Sequence, residues 1–172
     1  MFYFIRHGET DESGTDTKIF KGYGVNLAPL TERGAEQIRQ AAKDGRLNGA
    51  DLILCSPYTR AVQSAAILSR TLDVDLRIET DLHEWLANKN YVFEDWPVAE
   101  QAWREYEAGG GTYVEGEKLW EDAETMRARV LPVLRKYAHL EKVIVVCHSN
   151  VISAVTGGPR PACAEIVEYE LH

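Results

Sequence analysis

At 172 residues with 45% hydrophobic side chains, the chain has the length of one domain with a single substantial core and is expected to fold without a partner. A formal net charge of −8 argues against a nucleic-acid or anionic-membrane surface, which would carry a basic stripe, yet leaves room for an anionic small molecule held by a few local arginines. The N-terminus has neither a basic segment nor a long apolar run, so no signal peptide is expected, and no stretch reaches the length of a membrane-spanning helix. The cysteines, Cys55, Cys147 and Cys163, give no zinc spacing, and the first two fall in apolar runs as buried thiols do; a reducing cytoplasm is the expected location.

In chain order, residues 1–5 form a short apolar run that predicts a buried strand, followed at once by Arg6-His7-Gly8-Glu9-Thr10. Arginine offers a fixed fork of donors to a phosphoryl group, histidine can act as nucleophile or acid and base, and glycine admits close backbone approach. Taken alone, an Arg-His pair at a strand end is more often surface decoration or a satisfied hydrogen-bonding pair. Residues 11–29 lack periodicity, and a loop of that length is usually functional. Leu30 and Thr31 read as a staple and N-cap for a helix with Ala35, Ile38, Ala41 and Ala42 on its apolar face, ending near Gly45 or Gly49. A second buried strand at 51–55 stops at Ser56-Pro57, and a helix with Ala61, Ala65, Leu68 and Leu72 follows. Residues 74–78 alternate as a half-exposed strand does.

The stretch 82–111 holds Trp85, Tyr91, Phe93, Trp96, Trp103 and Tyr106, with a helix expected over 94–108 and broken by Gly109-Gly110-Gly111. These aromatics either cover a substrate or pack a small core of their own. Leu119, Ala123, Met126, Val130, Val133 or Leu134, and Tyr137 then mark one face of a long helix, which Pro132 should kink or restart. The run 143–147 is the most apolar strand and the candidate for the sheet centre, and His148 ends it. A short helix over 149–156 and a strand over 164–171 complete the chain. Strands alternating with helices predict an α/β fold, a three-layer α/β/α sandwich with a mainly parallel sheet. Such sheets bind ligands beyond the carboxyl ends of their strands, where His7, Ser56 and His148 all fall.

Four separated segments carry a specific resemblance: Phe4-Ile5-Arg6-His7-Gly8-Glu9-Thr10, Pro29-Leu30-Thr31-Glu32-Arg33-Gly34, Ser56-Pro57-Tyr58-Thr59-Arg60-Ala61-Val62-Gln63-Ser64-Ala65, and Val145-Val146-Cys147-His148-Ser149-Asn150. In their order they resemble the histidine phosphatase superfamily, also called the phosphoglycerate mutase-like family. Asp81-Leu82-His83-Glu84-Trp85 resembles its acid-bearing segment, and Glu115-Gly116-Glu117 the stretch before its penultimate helix. The resemblance implies that His7 is the nucleophile and forms a phosphohistidine, that Arg6, Arg60 and His148 hold the phosphoryl oxygens, and that Glu84 is the general acid and then the base. It implies no metal and no cofactor, since arginines supply the positive charge.

Ser13 stands where many members carry an asparagine, and Ser149-Asn150 where many carry two glycines. Ser13, Gly22 and Asn150 are the further candidates for touching substrate. The mutase branch carries basic residues soon after its acid, a pattern that Trp85-Leu86-Ala87-Asn88-Lys89-Asn90-Tyr91 does not reproduce, which favours a phosphatase. His83, His139 and His172 have no such company and read as structural or solvated. The expectation is a single domain over 1–172, with 82–111 as a substrate-covering insertion. It would be a cytoplasmic, metal-independent phosphomonoester hydrolase acting on a small organic phosphate, with no nucleic-acid or membrane partner and its oligomeric state open. A phosphoglycerate mutase is the rival enzyme reading, and a catalytically silent phosphate-binding or regulatory module the rival of another class.

Overall fold

The computed structural model describes residues 1–14 and 24–171. Five strands, β1 (Phe2–Arg6), β2 (Leu52–Cys55), β3 (Leu76–Ile78), β4 (Val143–Cys147) and β5 (Ile166–Tyr169), form one sheet in the order β3-β2-β4-β1-β5. The pairs β3–β2, β2–β4 and β4–β1 are parallel, and β5 closes the edge antiparallel to β1. β4 is buried along its whole length and lies at the centre, as its unbroken apolar run requires of a strand covered on both faces.

Alternate side chains of each strand point to opposite faces, and the core divides accordingly. Phe4, Leu54, Val143 and Val145 pack with Met126, Val130 and Leu134 of α5 (Ala123–Lys136) and with Val151 and Ile152 of α6 (Ser149–Thr156). On the other face Ile5, Ile53, Ile144 and Val146 pack with Ile38 of α2 (Glu32–Ala41) and with Ala61, Ala65 and Leu68 of α3 (Thr59–Leu72). These are the three layers of an α/β/α sandwich. A single helical turn, α1 (Gly24–Leu27), lies in the stretch expected to be a loop, and α4 (Trp96–Ala108) falls in the aromatic region.

Several boundaries differ from the sequence expectation. α2 ends at Ala41, and a 3₁₀ turn, Gly45–Leu47, capped by the Asp44 side chain on Arg46 N–H at 2.9 Å, carries the chain on toward Gly49. α5 begins at Ala123, not near Leu119, because the Asp122 carboxylate accepts from Thr125 N–H at 2.8 Å and fixes the first turn there; Leu119 lies ahead of the helix and is 56% exposed. Pro132 sits inside α5, which continues as one helix to Lys136. The terminal strands are shorter than read: Leu76–Ile78 and Ile166–Tyr169. The aromatic stretch divides. Trp85, Trp103 and Tyr106 pack together with Trp120 against the α5–α6 core, whereas Tyr91, Phe93 and Trp96 are mostly exposed.

Candidate active site

Three strand ends build the centre of the site. β1 and β4 run in register with Arg6 opposite Cys147, so the next residues, His7 and His148, leave the sheet side by side. Their ring centroids are 5.1 Å apart, edge to face. β2 ends with Cys55 opposite Val146, and Ser56 leaves at the same rim, its N–H bonded to Val146 O at 3.0 Å.

His7 is held in one tautomer. Its Nδ1 lies 2.7 Å from the Gly8 carbonyl oxygen, which can only accept, so Nδ1 carries the proton and Nε2 is left with a lone pair. Arg60 Nε donates to that Nε2 at 3.2 Å. Burial lowers the His7 pKa to about 3, and the Arg60 charge adds to the effect; the Gly8 carbonyl opposes it and Arg6 lowers it a little further. The imidazole is neutral at any ordinary pH, the state a nucleophile needs.

Gly8 is required by space. A methyl group there would lie 2.2 Å from the Gly34 carbonyl oxygen, and one on Gly34 would lie 2.2 Å from Glu9 O, so the turn after β1 and the first turn of α2 touch backbone to backbone. Glu9 and Thr10 lock that contact. The Glu9 carboxylate accepts from Thr31 Oγ1 at 2.7 Å, Thr31 Oγ1 in turn accepts from Gly34 N–H at 2.9 Å, and Glu9 N–H donates to Gln37 at 2.9 Å. Thr10 bridges to Leu30. Ser64, one turn beyond Arg60 on α3, accepts from Gly8 N–H at 3.2 Å and donates to Arg60 O at 2.8 Å, joining the loop that carries His7 to the helix that carries Arg60.

Arg60 is buried early in α3, with Nη1 donating to Val25 O and its guanidinium 5.1 Å from the Tyr58 ring centroid. Arg6 Nη1 donates to Pro161 O at 2.9 Å. His148 is fully buried, with Nε2 2.7 Å from Ser56 Oγ, and Ser56 Oγ also accepts from Tyr58 N–H at 3.3 Å. That second bond leaves the Ser56 hydroxyl proton free for His148 Nε2 and so favours a proton on His148 Nδ1. Burial holds the His148 pKa well below its ordinary value, helped by Arg60, His7, His83 and Arg129.

Among the described residues three buried side-chain polar atoms lack a partner: Arg6 Nε, His148 Nδ1 and Asn150 Oδ1. Such atoms are costly unless a ligand satisfies them, and all three belong to residues singled out from the sequence. Glu84 follows the 3₁₀ turn Thr80–Leu82; its Oε1 accepts from Trp85 N–H at 2.8 Å, and its carboxylate also takes the Asn150 side-chain amide. Burial raises the Glu84 pKa, against the opposing pull of the Trp85 amide, Arg60, Asn150 and Arg129. The result is a carboxyl that keeps its proton to higher pH than usual.

The remaining candidates fare differently. Ser13 is exposed and turned to Asp11, whose carboxylate it contacts through both its amide, at 3.0 Å, and its side chain. Gly22 lies outside the described residues, as does His172. His83 is buried, with Nδ1 2.8 Å from Glu84 O and Nε2 3.2 Å from Tyr91 OH, a structural role; His139 is exposed. Sequence reading gave no role to Ser64 or Gln37, because the backbone each braces, at Gly8 and Glu9, is far away in sequence. Among the described residues no group of three or more His, Cys, Asp or Glu is placed to hold a metal ion, and no helix is long and apolar enough to cross a membrane.

The chain belongs to the histidine phosphatase superfamily (branch 1), whose pattern it matches over residues 2–158. It is 28% identical over 170 residues to "Probable phosphoglycerate mutase GpmB" of Enterobacter sp. (strain 638), an alignment covering 93% of this chain and 76% of that one. Among solved structures it resembles a mycobacterial glucosyl-3-phosphoglycerate phosphatase, with a TM-score of 0.63, 23% identity and coverage of 90% of this chain and 77% of that one. It also resembles the alpha-ribazole phosphatase of Shigella flexneri, with a TM-score of 0.60, 24% identity and coverage of 88% and 75%. The latter two likenesses are of fold.

Proposed function

We propose that this protein is a metal-independent phosphomonoester hydrolase that works on a small organic phosphate through a phosphohistidine at His7. The observation that carries the reading is the neutral, buried His7, with an unprotonated Nε2 directed at Arg60 and unpartnered Arg6 and His148 nitrogens beside it. In the first step the Arg60 Nε–H turns from Nε2 to a phosphoryl oxygen, the freed Nε2 lone pair attacks phosphorus, the ester P–O bond breaks, and Glu84 gives its proton to the departing oxygen. In the second, water attacks the phosphohistidine, Glu84 takes the water's proton, the P–N bond breaks and phosphate leaves. Arg6, Arg60 and His148 hold the equatorial oxygens, where fixed donors act most strongly on developing charge. Asn150 orients the Glu84 carboxyl.

Two neighbours in fold are named as phosphatases of small organic phosphates, which supports the same class of substrate here. The likeness to a relative named as a phosphoglycerate mutase supports a second reading, in which the phosphohistidine is returned to product rather than to water. Residues 82–111 serve as a cover on the domain, anchored by Trp85, Trp103 and Tyr106 and presenting Tyr91 outward. Three free thiols suit a cytoplasmic setting.

Turnover of p-nitrophenyl phosphate should survive a chelator and vanish in His7→Ala. Label from a ³²P-ester, trapped by quenching, should be acid-labile, alkali-stable and located on His7. Label on serine or aspartate, or substantial activity in His7→Ala, would reject the mechanism. Interconversion of phosphoglycerates faster than their hydrolysis would establish the mutase reading instead.

A further inference from the structure

Glu84 lies in an irregular segment, 83–87, between a 3₁₀ turn and the aromatic region, with no strand or helix to fix it. What fixes it is a buried ion pair distant in sequence. Arg129 of α5 grips Glu121 with two bonds, Nε to Oε1 at 2.8 Å and Nη2 to Oε2 at 3.0 Å. The same guanidinium donates through Nη1 to Asp81 O and through Nη2 to Glu84 O at 3.4 Å. Glu121 takes the other side of the segment: its Oε2 accepts from Leu86 N–H at 3.0 Å, its own N–H donates to Leu86 O at 3.0 Å, and its carbonyl accepts from Trp85 Nε1 at 2.7 Å.

We propose that Arg129 and Glu121 are a positioning pair for the general acid, holding the backbone on both sides of Glu84 so that its carboxyl meets the leaving-group oxygen. The proposal rests on the acid role of Glu84 given above. The bonds of the pair to this segment run to its main chain and to the Trp85 indole, while the Arg129 charge also draws the Glu84 pKa down; Arg129→Lys keeps that charge and so isolates the positioning. A buried ion pair is a poor device for stability alone, because apolar side chains of similar volume do as well. Only a planar guanidinium can serve a carboxylate with two bonds and two carbonyls at once, which an ammonium cannot.

The test compares two leaving groups in the full chain. Arg129→Lys keeps the charge opposite Glu121 but loses the fork. Glu121→Gln keeps an acceptor for Leu86 and weakens the grip on Arg129. Both should lower kcat for a simple alkyl phosphate about tenfold or more, while kcat for p-nitrophenyl phosphate, whose leaving group needs no proton, stays within about threefold and KM for each changes little. Glu84→Gln supplies the reference, with the same split and a larger loss on the alkyl ester. Leu47→Ala, a cavity in the core on the opposite face of the sheet, supplies the control: it should lower the melting temperature without changing the ratio of the two substrates.

Equal losses on both substrates in Arg129→Lys and Glu121→Gln, or no loss while Glu84→Gln shows the split, would overturn the pair's role and leave the function standing. Failure of both variants to fold would make the pair structural and overturn the proposal as well. No split in Glu84→Gln would reject the acid assignment itself, and this inference with it.

Discussion

The smallest side chain in the site has the least freedom to change. Gly8 follows His7, the proposed nucleophile, its carbonyl sets the His7 tautomer, and its α-carbon lies against the Gly34 carbonyl with no room for a methyl group. Gly8→Ala must push the β1 end away from α2 and carry His7 with it. Overpacking of this kind typically costs about 1–3 kcal/mol, so urea unfolding should show a loss in that range, and p-nitrophenyl phosphate turnover should fall by at least tenfold as the imidazole leaves its line with Arg60. The residues proposed for the chemistry were legible in the sequence because they cluster in short motifs. Arg6 ends a strand, His7 and His148 each follow one, Arg60 lies in the first turn of a helix, and the fold brings them together. Ser13 was not legible in this way: its place in a motif says nothing of whether its hydroxyl faces inward, and it turns to Asp11 instead.

At the scale of the element, α5 runs as one helix across an internal proline. Pro132 lies ten residues into a fourteen-residue helix, where it removes one backbone donor and crowds the carbonyl four residues earlier. Its ring is exposed, and replacing it removes no buried packing. Pro132→Ala should raise stability by about 1–3 kcal/mol in urea unfolding and leave turnover unchanged, since the helix N-terminal part carries Arg129. The strands β1, β2 and β4 could be read from the sequence because continuous apolar runs bounded by polar residues have few other homes. The start of α5 could not. Leu119 and Trp120 extend the apolar period backward, and only the capping bond of Asp122 decides where the helix begins. Nor could the Arg129–Glu121 pair be read, since nothing in local pattern links either residue to Glu84, dozens of positions away.

For the molecule as a whole, three histidines buried in their neutral form make acid the principal threat. Unfolded, each takes up a proton near pH 6.5; folded, His7 does so only at about 3, His148 far below its ordinary value, and His83 also below it because of burial. Between those limits the unfolded chain binds more protons, so stability rises with pH, and it falls as the solution is acidified from about 6.5 toward 3. Each histidine contributes a slope of up to about 1.4 kcal/mol per pH unit. Glu84 acts with the opposite sign. Its folded pKa is raised, so above the usual carboxylate range it binds a proton more readily folded than unfolded, which offsets part of the slope in that window. Unfolding curves from pH 7 to pH 4.5 should show a steep decline below 6.5 in the native protein and a shallower one in His7→Asn. Identical slopes in the two would refute the linkage.

The parallel, in-register pairing of β1 with β4 has a last consequence. Adjacent strands in any sheet stand about 4.8 Å apart, and the two imidazoles that leave these strands are 5.1 Å apart. The spacing of peptide hydrogen bonding thus fixes where the two side chains leave the sheet, a length no side-chain substitution can retune. Substitutions at the rim can change the surroundings of the two imidazoles while their points of departure stay written into the backbone.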